Sequence, residues 1–176
     1  MKQTILRYGL ISGLAASVLM VASAMYFKST KDFDNGQYIG YVGIFLSMLF
    51  VFLGVRSYRE QVAGGVLSFG KAFQVGILIA IVSCICYVLT WMFVYETIMP
   101  DFLEQYMAYS LEHLQKSGAA QAEIEKYTSE MQHFKEMYQN PLIRFGLTFL
   151  EPFPVGFLVA LLSALILRRQ STASEQ

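Results

Sequence analysis

The sequence predicts an all-α membrane protein with four transmembrane helices and an extracytoplasmic helical hairpin between the third and the fourth. The first observation behind this prediction is composition: the 176 residues are 55% hydrophobic and only 15% charged, and the mean hydropathy is +0.46. A soluble globular domain averages about 25% charged residues. The composition therefore excludes an ordinary soluble domain, and a net charge of zero gives no overall electrostatic attraction for nucleic acid.

The second observation is a set of four apolar stretches that are long enough to cross a bilayer, which takes about 20 helical residues. The predicted spans cover residues 5–27, 38–55, 72–98 and 143–167 of a single membrane domain, residues 1–176. Only helices and closed barrels satisfy their whole backbone inside lipid. These stretches lack the alternating pattern of barrel strands, so we predict four helices.

The distribution of basic residues predicts the orientation of the spans, because Lys and Arg near span ends favour the cytoplasmic side. One side holds seven of them: Lys2, Arg7, Arg56, Arg59, Lys71, Arg168 and Arg169. The other side holds three near the span ends: Lys28, Lys31 and Arg144. We therefore predict that both termini are cytoplasmic and that the hairpin lies outside.

The N-terminal span has an alternative interpretation as a secretory signal. Lys2 and Arg7 precede an apolar run that ends in Ala22-Ser23-Ala24, the small-residue pattern of signal-peptide cleavage. The run continues to Phe27, which is longer than a signal core usually needs. We favour an uncleaved span, and cleavage would leave the orientation of the other three unchanged.

The hairpin prediction rests on residues 100–140. Pro100 suits a first helical turn and Gly118 suits a helix end. Beyond Gly118, apolar residues recur in steps of three and four, as on one face of a helix: Ile124, Tyr127, Met131, Phe134 and Tyr138. Asn140-Pro141 then ends the second helix. Three rings that flank the first helix's apolar face are expected at the membrane surface: Phe102, Tyr106 and Tyr109.

Small residues at four-residue spacing predict close contact between helices, because small side chains let two backbones approach inside lipid. Three spans carry such a stripe: Gly9, Gly13 and Ser17 in the first, Ala72, Gly76, Ala80 and Cys84 in the third, and Gly156, Ala160 and Ala164 in the fourth. Packing within one bundle is the simpler interpretation, and pairing between copies of the chain stays open.

Residues 65–72 nearly match a phosphate-binding loop. The full motif needs a hydroxyl after the lysine to hold magnesium, and Ala72 follows Lys71 here. The segment also lies between two spans, where the glycines would make a turn and Ser68 would cap the third helix. We predict no nucleotide and no other cofactor.

No other motif points to catalysis or to a metal. The side chains of Cys84 and Cys86 diverge by about 200° on a helix, so they cannot form a disulfide with each other. We interpret them as packing residues. Glu130, His133 and Glu136 have a helical spacing that could touch a metal, but a solvated helix face is the favoured interpretation. With no nucleophile–base pair in the sequence, we predict a protein that is not an enzyme and that has no catalytic residues.

Glu151 is the candidate intramembrane polar site. It lies about 6 Å from the middle of the fourth span, where an ionisable side chain is costly and is a functional hypothesis by default. Pro152 and Pro154 have no N–H to offer the carbonyls of Thr148 and Leu150. A carboxylate beside free carbonyls could hold a cation or relay a proton.

The structural alternative is favoured: a neutral Glu151 that is hydrogen-bonded to a neighbouring helix. Four residues lie at a suitable depth to be its partner: Ser23, Tyr41, Tyr87 and Thr90. Glu96 lies nearer the outer end of the third span and is expected to reach water along its own stem.

The order of several short motifs resembles that of one known family. From the N-terminus, the motifs are Tyr8-Gly9-Leu10-Ile11-Ser12-Gly13, Gly54-Val55-Arg56-Ser57-Tyr58-Arg59, residues 64–73, Met99-Pro100-Asp101-Phe102, residues 134–141 and Phe153-Pro154-Val155-Gly156. Together they resemble the bacterial membrane family known as domain of unknown function 4199, over nearly the whole chain. The resemblance implies a four-span protein with an inserted helical hairpin. It implies no activity, cofactor or catalytic residue.

Two functions remain as hypotheses. The leading one is a non-enzymatic accessory or scaffold protein of the bacterial cytoplasmic membrane, whose partners are the lipid bilayer and another membrane protein or a second copy of itself. The alternative is a small transporter or channel that uses Glu151. A polar cavity that reaches Glu151 would favour transport, and a packed bundle would favour the accessory role.

Overall fold

The computed structural model describes residues 1–168, with only the backbone at positions 34 and 37. Seven helices account for nearly all of this range: α1 (Lys2–Thr30), α2 (Phe33–Gln61), α3 (Phe69–Thr97), α4 (Phe102–Lys116), α5 (Gln121–Tyr138), α6 (Pro141–Leu150) and α7 (Phe153–Leu167). Arg169, counted above toward the orientation, lies outside the described residues.

Four helical segments are long and apolar enough to cross a membrane, as the four predicted spans require. They cover Lys2–Thr30, Tyr38–Gln61, Phe69–Thr97 and Pro141–Leu167. The helices run several residues beyond most of the predicted spans, because helical hydrogen bonds continue past the apolar stretch into polar residues.

Side-chain caps fix where several of these helices begin. Asp32 accepts a hydrogen bond from the Asn35 N–H at the start of α2, and Asn140 accepts one from the Leu142 N–H at the start of α6. Ser68 Oγ accepts from the Lys71 N–H at 3.4 Å. The predicted capping role of Ser68 is therefore confirmed.

The fourth span is divided where Pro152 interrupts its hydrogen bonds. Because Pro152 has no N–H, the Thr148 carbonyl accepts instead from the Glu151 N–H at 3.3 Å, a bond one residue shorter than the helical one. The expectation of a free carbonyl at Thr148 is therefore wrong. The helical pattern resumes with the bond from the Gly156 N–H to the Pro152 carbonyl at 3.0 Å.

Helix α3 is the centre of the bundle, because α1, α2, α6 and α7 all pack against it. The predicted stripes of small residues lie at these contacts. A Cβ atom on Gly13 of α1 would lie 2.5 Å from the Cys86 Cβ of α3, and one on Gly156 of α7 would lie 2.9 Å from the Ala80 Cβ. The stripes therefore pack helices within the monomer.

A buried serine cluster ties three helices together near the middle of the bundle. Ser12 Oγ donates to the Ser47 carbonyl oxygen at 2.7 Å and lies 2.9 Å from Ser83 Oγ. These three residues are at most 1% exposed. Each hydroxyl is satisfied inside the protein, so the cluster links α1, α2 and α3 without a buried polar group left unpaired.

Helices α4 and α5 meet at the end of the bundle where α1 ends and α2 begins. Gly118 makes the turn between them with φ +78°, a left-handed conformation that glycine adopts without strain. Lys135 Nζ of α5 lies 2.6 Å from Glu104 Oε1 of α4, and this hydrogen bond lowers the pKa of Glu104. We call this pair of helices the α4–α5 segment.

We predict that valine at Gly13 destabilises the protein, because its side chain has no room against Cys86 and overpacking typically costs about 1–3 kcal/mol. The measurement is thermal unfolding of the purified protein in detergent. Gly146→Val is the matched control, since a Cβ at Gly146 meets nothing within 4 Å. Equal melting temperatures for the two variants would contradict the close approach of α1 and α3.

Candidate functional site

Glu151 hydrogen-bonds to one of the four partners that the sequence allowed. Tyr87 Oη of α3 donates to Glu151 Oε2 at 3.1 Å. Ser23 instead donates to the Gly36 carbonyl, and Thr90 pairs with Ser17. Tyr87 therefore holds the carboxyl against α3, close to the point where α6 gives way to α7.

One helical turn from Glu151, a second polar contact joins three helices. Trp91 Nε1 of α3 donates to Tyr138 Oη of α5 at 2.7 Å. The same Tyr138 oxygen lies 3.3 Å from Thr148 Oγ1 of α6. Trp91 and Tyr138 thus fix the end of α5 against the crevice between α3 and α6.

Arg144 makes the third polar contact between α6 and α3. Its side chain is 5% exposed, and its Nη2 atom lies 2.6 Å from Glu96 Oε1. The guanidinium carbon lies 4.6 Å from the centre of the Tyr95 ring. Glu96 is exposed, as expected of a side chain that reaches water along its own stem, and it is also the ion-pair partner of Arg144. Arg144 was counted only toward orientation, because its spacing does not reveal which helix it faces.

These three contacts form one polar stripe on α6. Arg144, Thr148 and Glu151 follow at steps of four and three, so they share a face of the helix. Tyr87, Trp91 and Tyr95 follow at steps of four on the facing side of α3. The spacing of the polar residues on α6 and that of the aromatic residues on α3 are both visible in the sequence. Only the packing of α6 against α3 shows that the two stripes meet.

A cavity of about 590 Å³ opens beside this stripe, and residues of α1 to α6 and of the α3–α4 turn line it. Ten of the lining residues are aromatic: Phe27, Phe33, Tyr41, Tyr87, Trp91, Phe102, Tyr106, Tyr109, Phe134 and Tyr138. Glu151 supplies the one charged side chain among the lining residues described by the structure. We call this space the aromatic cavity.

Rings from α1, α2 and α4 form one part of the wall of the aromatic cavity. Phe33 of α2 lies 4.0 Å from Phe27 and 4.8 Å from Tyr109, measured between ring centres. Phe102 of α4 lies 5.2 Å from Trp91. The rings of α4, expected at the membrane surface, therefore pack on the ends of α1, α2 and α3 and cover the cavity.

The cavity borders the exposed surface of the bundle between α2 and α6. Helix α2 packs on α7, whereas α6 packs on α3 and α5 and makes no comparable contact with α2 within residues 1–168. Tyr41 of α2 and Leu147 of α6 line the cavity and are 52% and 39% exposed. We call this side of the cavity, where lining residues of both helices are exposed, the lateral opening.

The half of the bundle beyond Glu151, toward the end of α7, is closely packed. Val51, Val55, Ile79 and Ala160 are fully buried there. A Cβ atom added to Gly156 would lie only 3.2 Å from Met48 Sδ. We call this region the packed half. The aromatic cavity is thus a pocket that ends near Glu151.

The other residues considered in the sequence do not join this site. Cys84 and Cys86 are free cysteines on α3. Within the described residues, no three His, Cys, Asp or Glu side chains come close enough to hold a metal ion. His133 and Glu136 lie on an exposed face of α5, away from the aromatic cavity.

We predict that glutamine at Glu151 preserves stability, because its amide oxygen can still accept the Tyr87 hydrogen bond. Leucine should cost about 1–3 kcal/mol by leaving the Tyr87 hydroxyl without a partner. Thermal unfolding in detergent, with and without Na⁺ and across pH, measures both variants.

The control for this prediction is the double variant that combines Glu151→Leu with Tyr87→Phe. In that background Glu151→Leu should cost clearly less than it does alone, since no hydroxyl is left unpaired. Full additivity of the two substitutions would show that the hydrogen bond contributes nothing. A Na⁺-dependent stabilisation that the glutamine variant loses would instead indicate an ion site.

Comparison with known proteins gives one match. The family model described as "Protein of unknown function (DUF4199)" matches residues 7–169, nearly the whole chain. No curated protein and no solved structure matches the chain.

Proposed function

This chain belongs to the DUF4199 family, whose description assigns no function, and we propose that it is a non-enzymatic membrane protein that binds an amphipathic molecule in the aromatic cavity. The observation that carries the proposal is the cavity itself. Small-molecule sites typically enclose about 300–1,000 Å³, with apolar walls and a few polar groups that orient the ligand. The aromatic cavity has the same character, and Glu151 supplies the polar group.

The lateral opening supports a ligand that comes from the bilayer. An amphipathic molecule in the membrane would reach the cavity between α2 and α6, where Tyr41 and Leu147 are exposed. Its apolar part would exchange lipid contact for contact with rings and methionine side chains, including Met20 and Met99. Its polar end would bind the Glu151 carboxyl, a polar partner that the lipid tails do not provide.

Transport through the chain is the second candidate function, because the cavity reaches Glu151. Two observations favour binding over an ion pathway. Ion pathways are lined by carbonyls, charged rings or water-filled polar surfaces, whereas most of this wall is aromatic or aliphatic. The packed half would also have to open to let a solute pass beyond Gly156.

The position of the α4–α5 segment supports an accessory role. Phe102 and Tyr106 of α4 and Phe134 of α5 line the aromatic cavity, so an occupant would touch both helices directly. Binding would then change how the segment sits on the bundle and what surface it presents to a partner protein. We place the segment outside the bacterial cytoplasmic membrane and both termini in the cytoplasm, on the basis of the Lys and Arg distribution.

We predict that an occupant of the cavity quenches the fluorescence of Trp91, because Trp91 lines the cavity and is the only tryptophan in the sequence. The probes are three decyl amphipaths brominated at mid-chain: a trimethylammonium salt, an alcohol and a sulfate. Each is titrated into the purified protein in maltoside detergent. At least one should give saturable quenching.

The control variants fill or spare the cavity. Gly40→Phe should weaken the quenching at least tenfold, because Gly40 lines the cavity and its Cβ would project into open space. Gly146→Phe adds the same side chain outside the cavity and should leave the quenching unchanged. Quenching that is equal in the two variants for all three probes would refute the proposed function.

A separate prediction tests the orientation. Single cysteines at Gln121 and Ser174, in a chain whose Cys84 and Cys86 are replaced by alanine, are probed with a membrane-impermeant maleimide. In intact spheroplasts we expect labelling at Gln121, an exposed position on α5, and labelling at Ser174 only after lysis. The reverse pattern would overturn the assignment.

A further inference from the structure

Building on the proposed function, we propose that the occupant of the aromatic cavity is an organic cation, with an ammonium group beside Glu151 and an apolar body among the rings. This names the chemical class of the ligand, which the proposed function leaves open. Three features of the cavity support a cation: the charges, the rings and the hydrogen bonds around the carboxyl.

The charge around Glu151 favours a cation. None of the described residues that line the aromatic cavity is Lys, Arg or His. Arg144 lies on the same face of α6, but seven residues away, which is about 10 Å along the helix, and it is paired with Glu96. The carboxyl therefore has no protein cation beside it in the cavity, and a ligand cation would offset the cost of ionising it within a membrane span.

The hydrogen bonds leave the carboxyl able to accept a ligand. Tyr87 donates to Oε2, and among the side chains and backbone N–H groups that the structure describes, none is seen to donate to Oε1. The Glu151 side chain is exposed although it lies inside a candidate span, and it lines the cavity. Its free oxygen is thus available to an ammonium group from the cavity side.

Rings that line the cavity together with the carboxyl add to the same preference. Tyr41, Tyr87 and Trp91 line the cavity together with Glu151. Aromatic faces attract cations through their quadrupole, Trp most strongly, and the attraction grows when the cation is removed from water. The bond from Trp91 Nε1 to Tyr138 holds the indole in place, so its orientation does not have to be fixed on binding.

The same features disfavour an amphipathic ligand whose head group is anionic or neutral. An anionic head would place a second negative charge near Glu151, and like charges repel strongly where water is excluded. A neutral head such as a hydroxyl could bond to Oε1 but would gain no charge interaction with the carboxyl. The apolar wall accepts the tail of all three classes equally, so the head decides between them.

The brominated decyl probes test this proposal on the full-length protein. We expect the trimethylammonium compound to quench Trp91 with an affinity at least tenfold above that of the alcohol, with the sulfate weakest. Glu151→Gln should reduce the affinity for the cation about tenfold, as the loss of one charge interaction predicts, and leave that for the alcohol unchanged. Glu151→Asp keeps the carboxyl group and should keep the order of affinities among the three probes.

The outcomes separate this proposal from the proposed function. If the alcohol and the cation bind equally and Gly40→Phe weakens both, the cavity binds amphipaths but the preference for a cation is wrong. If Glu151→Gln leaves cation binding unchanged while the protein melts at the wild-type temperature, the carboxyl is not the recognition group and the proposal fails. If no probe distinguishes Gly40→Phe from Gly146→Phe, the proposed function fails and this inference fails with it.

Discussion

The close approach of four helices to α3 is the constraint on which the rest of the structure depends. Lipid gives helices no hydrophobic reason to associate, so contact has to come from tight packing and from polar groups that bond to each other. Gly13 and Gly156 bring α1 and α7 so close to α3 that a single added carbon would collide with it. The serine cluster around Ser12 adds bonds where the backbones are closest.

The interruption at Pro152 lets the two parts of the fourth span, α6 and α7, pack differently on the rest of the bundle. Helix α7 stays against both α2 and α3 and completes the packed half. Helix α6 keeps its contact with α3 through the polar stripe, but it does not follow α7 onto α2. The space left between α2 and α6 becomes the aromatic cavity, and Glu151 lies at its end because it directly precedes the interruption.

The polar stripe shows how the bundle tolerates several costly groups in a membrane span. Each member has a partner on α3 or α5: Glu96 for Arg144, Tyr138 for Thr148 and Tyr87 for Glu151. Removal of either partner would leave the other unpaired where water is scarce. The stripe therefore both anchors α6 and sets the orientation of the Glu151 carboxyl, which lines the cavity.

The sequence by itself determined the four long apolar segments, the stripes of small residues and the missing hydrogen-bond donors at Pro152 and Pro154, because each is a property of one helix and its local periodicity. It also limited the partners of Glu151 to four residues, one of which is Tyr87. Only the tertiary structure decided that Arg144 pairs with Glu96 and that Phe33, Phe102 and Trp91 meet around one cavity. Periodicity shows which residues share a helix face, but it does not show which helix that face meets. The cavity draws its walls from six helices, so it exists only once all of them are packed.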